Sequence, residues 1–531
     1  MLLAIIHTWP LITAPGTLSR NDNGDAQLNA WILSWVAHQL PRAPAHLFDG
    51  NIFYPERRSL AFSEPLIVPG LMGAPLHWLG ASPVLEFNLV LLAGFALTAF
   101  AGYALVFEWT QDRAAGLLAG SMFAFNTHTL TRLPHVQGIH AWGLPLTLLA
   151  IDRLVTHARW RDAIGVAIWM TAMAYTSGYL VVFGAIMIAV VMIARIADWW
   201  RRPGRVAGLL AGAAVIALIA SLPVYLPYQR VARDLHMVRS LDTVARFSAT
   251  PTGYLASAGR IHASTWSARF LRDEVDAFFP GMVVIALAGA AVFATLRRSA
   301  PDREPLPPRT RIAMLVAIAL TGFILSLGTR TPVYGWVFHV LPPMQGLRAA
   351  ARFGNLFLLA MAALAGIGLA VLRARLPVRY AATIAAALVV AANIESLRAP
   401  FTYTRFEGIP HIYTLLREPD HVVLAEVPFY PAQAFFENAS YVLNSTAHWR
   451  PLMNGYSGYV PASYRANASV FWYFPEDYAI QAMRRAGVTH VMIHPARFGD
   501  TVDDMWRKVA ASPYLEQIAT TPGGPVLYRL K

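Results

Sequence analysis

The chain has 531 residues, of which 56% are hydrophobic and only 14% charged. Soluble domains carry about 25% charged residues, so composition excludes an ordinary soluble enzyme and calls for a polytopic membrane protein. The formal net charge of +13 is carried almost wholly by arginine, with lysine only at Lys508 and Lys531; in a membrane protein such an excess speaks first of topology, so no nucleic-acid partner is read from it. With no cysteine in the chain, disulfides, thiol catalysis and Cys-ligated metals are excluded.

From the N-terminus, residues 1–12 are apolar but short for a span of about 20 residues. They lack the basic start and small-residue cleavage site of a signal peptide. A first span is expected either to run on to about Leu18 or to begin upstream of Met1. Next comes Asn21-Asp22-Asn23-Gly24-Asp25, two carboxylates at the edge of a membrane, where an unpaired charge is costly without a partner or a task. One reading makes them an active-site edge; the plainer one makes Asp25 the N-cap of the following helix. That helix, 26–39, places Leu28, Trp31, Ile32, Trp35 and Val36 at helical spacing, which predicts an interfacial helix with its rings in the headgroup layer. Residues 47–55 are turn-rich. Glu64 introduces a second short apolar segment, 65–79; as a carboxylate at a helix start it needs no further role.

Further apolar runs lie near 83–107, 114–127, 138–156, 162–177, 178–200, 206–226, 280–297, 312–328, 349–373 and 379–397, giving about eleven spans with the first. The short loops 156–161, 201–205, 297–311 and 373–379 are all Arg-rich and fall on one side, which the positive-inside rule makes cytoplasmic. The first loop 19–82, the connection 128–137, the loop 227–279 and the tail from 400 then face outward. In the outer connection, His135 and Gln137 are candidates to hold a phosphate or move a proton, against the plainer reading of a hydrogen-bonded structural histidine. Asp273, Glu274 and Asp276 read as a solvated acidic cluster, and 298–311, with four prolines, as a cytoplasmic linker. Arg348 and Arg352 stand at i and i+4 at the mouth of a late span. On a helix both guanidiniums would share one face beside its positive end, which makes a phosphate clamp or, more plainly, a pair snorkelling to headgroups.

Beyond 400 the charges rise and apolar runs shorten. Strands are expected at 421–427, 488–493 and 526–530, and helices at 409–417, 432–443, 476–486 and 503–511. Alternation of the two predicts a small α/β domain over 400–531, set apart from a mainly α bundle over 1–399. Asn454 and Tyr456, in Asn454-Gly455-Tyr456-Ser457-Gly458-Tyr459, offer hydrogen bonds and a ring face to a sugar; an ordinary turn is the plainer reading. There is no P-loop, no GxGxxG before a helix, no HExxH and no GxSxG.

These stretches form a pattern. Gly24-Asp25 is followed by Leu28-Asn29-Ala30-Trp31-Ile32-Leu33-Ser34-Trp35, by residues 47–55, and by Ala61-Phe62-Ser63-Glu64-Pro65. His135-Val136-Gln137 stands between spans, and Leu347-Arg348 with Arg352-Phe353 opens a late one. The tail carries Val423-Leu424-Ala425-Glu426-Val427-Pro428, Asn454-Gly455-Tyr456 and the stretch from Gly487 to His494. The combination resembles bacterial membrane glycosyltransferases of the GT-C superfamily, over nearly the whole chain. The resemblance implies a transmembrane bundle, a first outer loop with interfacial helices and a periplasmic C-terminal domain, in the bacterial inner membrane. It also implies a sugar donor on a polyprenyl phosphate and a glycan, lipid or protein acceptor. An acidic residue of the first outer loop is the base or a metal ligand, best matched by Asp25 with Asp22 as alternative; a divalent cation is left open. Arg348 and Arg352 would clamp the carrier phosphate, with His135 and Glu64 in support. The sequence departs from the mannosyltransferase pattern in having no Asp-Glu pair after Asp25. The catalytic reading requires the acid and the arginines to meet at one cavity. The competing class is a non-catalytic scaffold or transporter-like protein; the lack of an internal repeat and the small number of mid-span charges count against transport.

Overall fold

Apolar runs bounded by caps and prolines become helices throughout the first 400 residues. A computed structural model describes residues 1–20, 22–235, 239–271, 277–297 and 308–531. Asn21, the acidic cluster at Asp273, Glu274 and Asp276, and most of the linker 298–311 lie outside the described residues. Every apolar run expected from residue 83 to 397 carries a helix. Five of these helices are long and apolar enough to cross a membrane: Pro83–Thr110, Pro203–Asp234, Arg309–Ser326, Ala350–Arg375 and Val378–Ser396. The helices Gly178–Ala194 and Met282–Arg297 are shorter but equally apolar in character. The first run differs from expectation. Its helix, Leu2–His7, stops ahead of Pro10, which has no N–H to donate and whose ring blocks continuation; a 3-10 turn, Leu11–Thr13, follows.

Packing gathers the chain into two units rather than in sequence order. One holds Met1–Thr13, Leu91–Leu226 and His236–Thr402; the other holds Ala14–Val90, Pro227–Leu235 and Tyr403–Lys531. The sequence division near residue 400 rests on composition, whereas packing joins the first outer loop to the tail.

The first unit is helical. Its centre is Gly354–Arg375, which buries 16 of its 22 residues and is therefore a core helix on all sides. Small residues let its neighbours close in: a side chain at Gly368 would collide with the Leu287 carbonyl, and one at Gly366 would stand 2.7 Å from the Ala115 carbonyl. By contrast, Pro203–Asp234 leaves Val215, Ile216, Leu218, Ile219 and Leu222 exposed, an apolar face of the kind that needs lipid or a partner. A buried carboxylate, Asp152, ties three helices and the Arg195 turn together. It accepts from Arg195, from the Arg311 Nε at 3.1 Å and from the Trp109 indole at 3.0 Å; Arg195 also pairs with Asp198.

In the second unit, strand β1 (Leu18–Ser19) pairs antiparallel with β2 (Thr404–Arg405). The tail sheet contains β3 (Leu424–Val427), β4 (His490–Ile493), β5 (Leu515–Thr520) and β6 (Val526–Leu530), in the order β3-β4-β6-β5. β3 and β4 are parallel, Leu424 opposite His490, and the other pairings are antiparallel. The three expected strands are present, and the helices Asp477–Arg485 and Val502–Ala511 match the last two helix expectations. The helix Gly24–Gln39 corrects the interfacial reading. It is buried almost throughout, because the helices Ile67–Trp78 and Ala439–Asn444 both pack against it. Trp31 donates to Asn51 Oδ1 at 3.1 Å and Trp35 to the Leu47 carbonyl at 2.8 Å, so the indoles are held by protein rather than by headgroups.

Candidate functional site

The helix Gly24–Gln39 begins at Asn23, whose side chain accepts from the Asp25 N–H at 2.9 Å. Asn23 and not Asp25 is therefore the N-cap, and the Asp25 side chain is left for another use. Asp25 is half-buried in the first turn, where the helix dipole favours a carboxylate. The Tyr456 hydroxyl, 431 residues away in sequence, donates to Asp25 Oδ1 at 2.7 Å. Two residues expected at the site thus meet. The surrounding frame is built from the motif stretches themselves. Phe53 N–H donates to the Asn454 carbonyl at 3.1 Å, Tyr54 N–H to the Leu452 carbonyl at 3.0 Å and Leu452 N–H to the Asn51 carbonyl at 2.7 Å. A side chain at Gly455 would collide with the Phe53 ring, so glycine there lets the two stretches lie against each other.

A second group lies in the helical unit. His128, Arg132, His135 and Gln137 of the outer connection, Tyr179 at the start of Gly178–Ala194, and Arg352 with Asn355 line one cleft. The cleft collects three of the expected residues, His135, Gln137 and Arg352, and none of its lining residues is Asp or Glu. Tyr179 organises it. Its ring lies under the Arg352 guanidinium at 4.5 Å, and its hydroxyl accepts from the N–H groups of Arg348 and Ala349, both at 3.0 Å. His128 stacks on Phe278 at 4.2 Å. Burial, and then the charges of Arg132, Arg352 and His135, push its imidazole well below the usual range, so it is neutral. His128 Nδ1 and Gln137 Oε1 are buried without a hydrogen-bond partner. Two guanidiniums, histidines and uncharged acceptors with no acid among them make a cleft for an anion that also carries donors.

The remaining candidates are placed elsewhere. Arg348 and Arg352 do not share a helix face, because Arg348 precedes the 3-10 turn Ala350–Phe353 in non-helical backbone; its guanidinium lies over Phe247 at 5.3 Å. Asp22 is exposed and bound by Arg20 through both oxygens, at 3.1 and 3.3 Å. Glu64 lies outside the helix Ile67–Trp78, three residues ahead of it. Asn454 is fully buried with its amide occupied: it accepts from Glu426 N–H at 2.7 Å and donates to the Glu426 carbonyl at 3.0 Å and to Asn438 Oδ1 at 3.1 Å. Sequence reasoning passed over Arg132, Tyr179 and Asn355. It also passed over Glu86, a wholly buried carboxylate that accepts from Ser34 at 2.8 Å and faces His77 at 3.4 Å. The signal for Glu86 was present, since an acid in the first turn of an apolar run is costly without partners.

No family model and no curated protein matches the sequence. Solved structures do resemble it. The oligosaccharyltransferase of Archaeoglobus fulgidus, in a crystal structure with zinc and sulfate, superposes with a TM-score of 0.52 at 14% identity, covering 99% of this chain and 72% of that one. AglB of the same archaeon, with an inhibitory peptide and a dolichol-phosphate, gives 0.50 at 14% identity over 100% and 73%. This chain therefore shares its overall fold with these two oligosaccharyltransferase structures. ArnT from Cupriavidus metallidurans superposes more loosely, at 0.43 and 13% identity over 99% and 96%. At these identities the likeness is one of fold, and chemistry has to be argued from this chain's own residues.

Proposed function

We propose that the chain is an integral membrane glycosyltransferase that moves a sugar from a polyprenyl-phosphate carrier to an acceptor hydroxyl on the outer face of the membrane. The observation that carries the reading is the acid-free cleft of Arg132, Arg352, His128, His135 and Gln137. The GT-C fold supports it, and AglB, which shares that fold, was solved with a dolichol-phosphate. In the reaction, the acceptor oxygen bonds to the anomeric carbon as the bond from that carbon to the phosphate oxygen breaks. The phosphate leaves with the electron pair, and Arg352 and Arg132 stabilise its charge. Asp25 takes the proton from the acceptor hydroxyl. Among the described residues no three His, Asp or Glu side chains gather as metal ligands, so no step is assigned to a cation. The proposed topology is that of a bacterial inner-membrane protein with the Arg-rich loops in the cytoplasm and the tail outside.

The test uses the purified full chain in lipid nanodiscs. A diazirine-bearing polyprenyl phosphate is expected to crosslink within 128–137 and near Arg352. Arg352→Lys should weaken its binding about tenfold, because a point charge replaces a fork. With farnesyl-phospho-linked mannose, glucose and arabinose as donors and membrane-extract lipids as acceptors, Asp25→Asn should lower transfer at least about a hundredfold. Carrier that fails to bind would reject the glycosyltransferase reading, and undiminished transfer by Asp25→Asn would reject Asp25 as the base.

A further inference from the structure

The tail's Tyr456 meets the first-loop carboxylate in two independent ways. Its hydroxyl donates to Asp25 Oδ1 at 2.7 Å. Its ring also lies against Gly24, where an added Cβ would stand 3.2 Å from the ring carbons and 3.2 Å from the Ala439 Cβ, tighter than ordinary contact. The ring also tilts against Phe435, with centroids 5.2 Å apart. Packing against Phe435 and against a residue without a side chain thus places the ring, and the hydroxyl is aimed by that placement. Asp25 lies in the first helical turn, where the backbone is fixed while a carboxylate still turns about its own torsions. The Tyr456 hydrogen bond to Oδ1 restricts that freedom.

We infer that Tyr456 is a positioning residue for the Asp25 carboxylate, so that the C-terminal tail completes the catalytic end of the first outer loop. This deepens the proposed reaction and rests on Asp25 being its base. It replaces the sugar-stacking role that a Tyr in an Asn-Gly-Tyr loop invites: one ring face is against Gly24, and the polar tip is engaged by the acid. It also explains the Gly24-Asp25 pair, in which the glycine admits the ring that holds the aspartate. A hydrogen bond to a charged group is among the stronger ones in a protein, and a misplaced base loses rate rather than donor affinity.

The experiment compares wild type, Tyr456→Phe, Gly24→Ala and Asp25→Asn as full chains in nanodiscs. Tyr456→Phe keeps the ring and its packing and removes only the hydroxyl. Gly24→Ala keeps the hydroxyl and presses the ring away. Both should lower kcat about tenfold or more with the farnesyl-phospho-sugar donors, while KM for the donor stays within about twofold. Isotope-edited infrared spectra, with Asp25 assigned by its loss in Asp25→Asn, should show the carboxylate band displaced in both variants. An unmoved band in Tyr456→Phe, or a kcat equal to wild type, overturns the positioning role while an inactive Asp25→Asn leaves the base assignment standing. An active Asp25→Asn rejects the base itself; the band then still reports whether the hydrogen bond exists.

Discussion

His448 shows how much one buried ring can set. It stands in the tail with 5% exposure, parallel to Tyr413 at 6.0 Å, and its Nδ1 accepts the Arg450 N–H at 2.9 Å. Burial, and then Arg450 and Arg417, push its pKa down to about 3. The unfolded chain, with its imidazole near 6.5, binds a proton that the folded one refuses between those values. The contribution is therefore complete above about pH 6.5 and is lost as pH falls toward 3, by about 1.4 kcal/mol per unit, or about 2 kcal/mol between pH 6.5 and 5. His38, pushed down to about 4 by burial, Arg42 and His77, and His490, lowered by burial and Arg529, act in the same direction. His448→Asn, whose side-chain oxygen can still accept from Arg450, should lose less thermal stability than wild type between pH 7.5 and 5.0. An equal loss would show that His448 does not govern the acid response. Residues of this kind are poorly legible in a sequence. His135 and Arg352 were found because they stand where few polar residues are expected. Tyr179 and His128 looked like ordinary helix-end residues, and their part in the cleft depends on which helices become neighbours.

Helices and strands carry their own signals, and the failures are informative. Long apolar runs and the strands Leu424–Val427, His490–Ile493 and Val526–Leu530 were legible because burial on both faces makes a continuous apolar word. Strand Leu515–Thr520 was missed because it is an edge strand whose Glu516 and Gln517 face solvent. The helix Gly24–Gln39 reads as interfacial because its large residues mark one face; it is buried instead by packing against Ile67–Trp78 and against Ala439–Asn444 from the far end of the chain, which no local pattern announces. The Asp152 knot is likewise long-range. It joins Trp109, Asp152, Arg195 and Arg311, so one carboxylate offsets two guanidiniums where little water reaches. Asp152→Asn leaves Arg195, itself 2% exposed, with the Asp198 carboxylate and the Thr156 hydroxyl. The expected cost is about 3–5 kcal/mol, read as a lowered midpoint of thermal aggregation in detergent. An unchanged midpoint would mean that the helices do not depend on this knot.

For the whole molecule, the governing asymmetry is charge. Arginine is dense in the short loops 156–161, 201–205, 297–311 and 373–379 and sparser per residue in the longer connections expected to face outward, and Arg132 and Arg352 are placed in a cleft. The charge bias and the positions of the apolar helices were therefore legible without neighbours. The joining of Ala14–Val90 with Tyr403–Lys531 was not, because its contacts run between residues hundreds of positions apart. The orientation can be tested cleanly because the chain has no cysteine, so a single introduced thiol reports alone. Gly204, exposed in the first turn of Pro203–Asp234 beside the Arg-rich loop and with open space around its Cα, and Asp500, exposed in the tail, are suitable positions. In intact spheroplasts a membrane-impermeant maleimide should label Asp500→Cys and spare Gly204→Cys, and lysis should make both reactive. The opposite pattern would turn the protein over in the membrane and put Asp25 and Tyr456 in the cytoplasm, where transfer on the outer face is impossible. Labelling of both before lysis would break the odd number of crossings between these sites and with it the eleven-span topology.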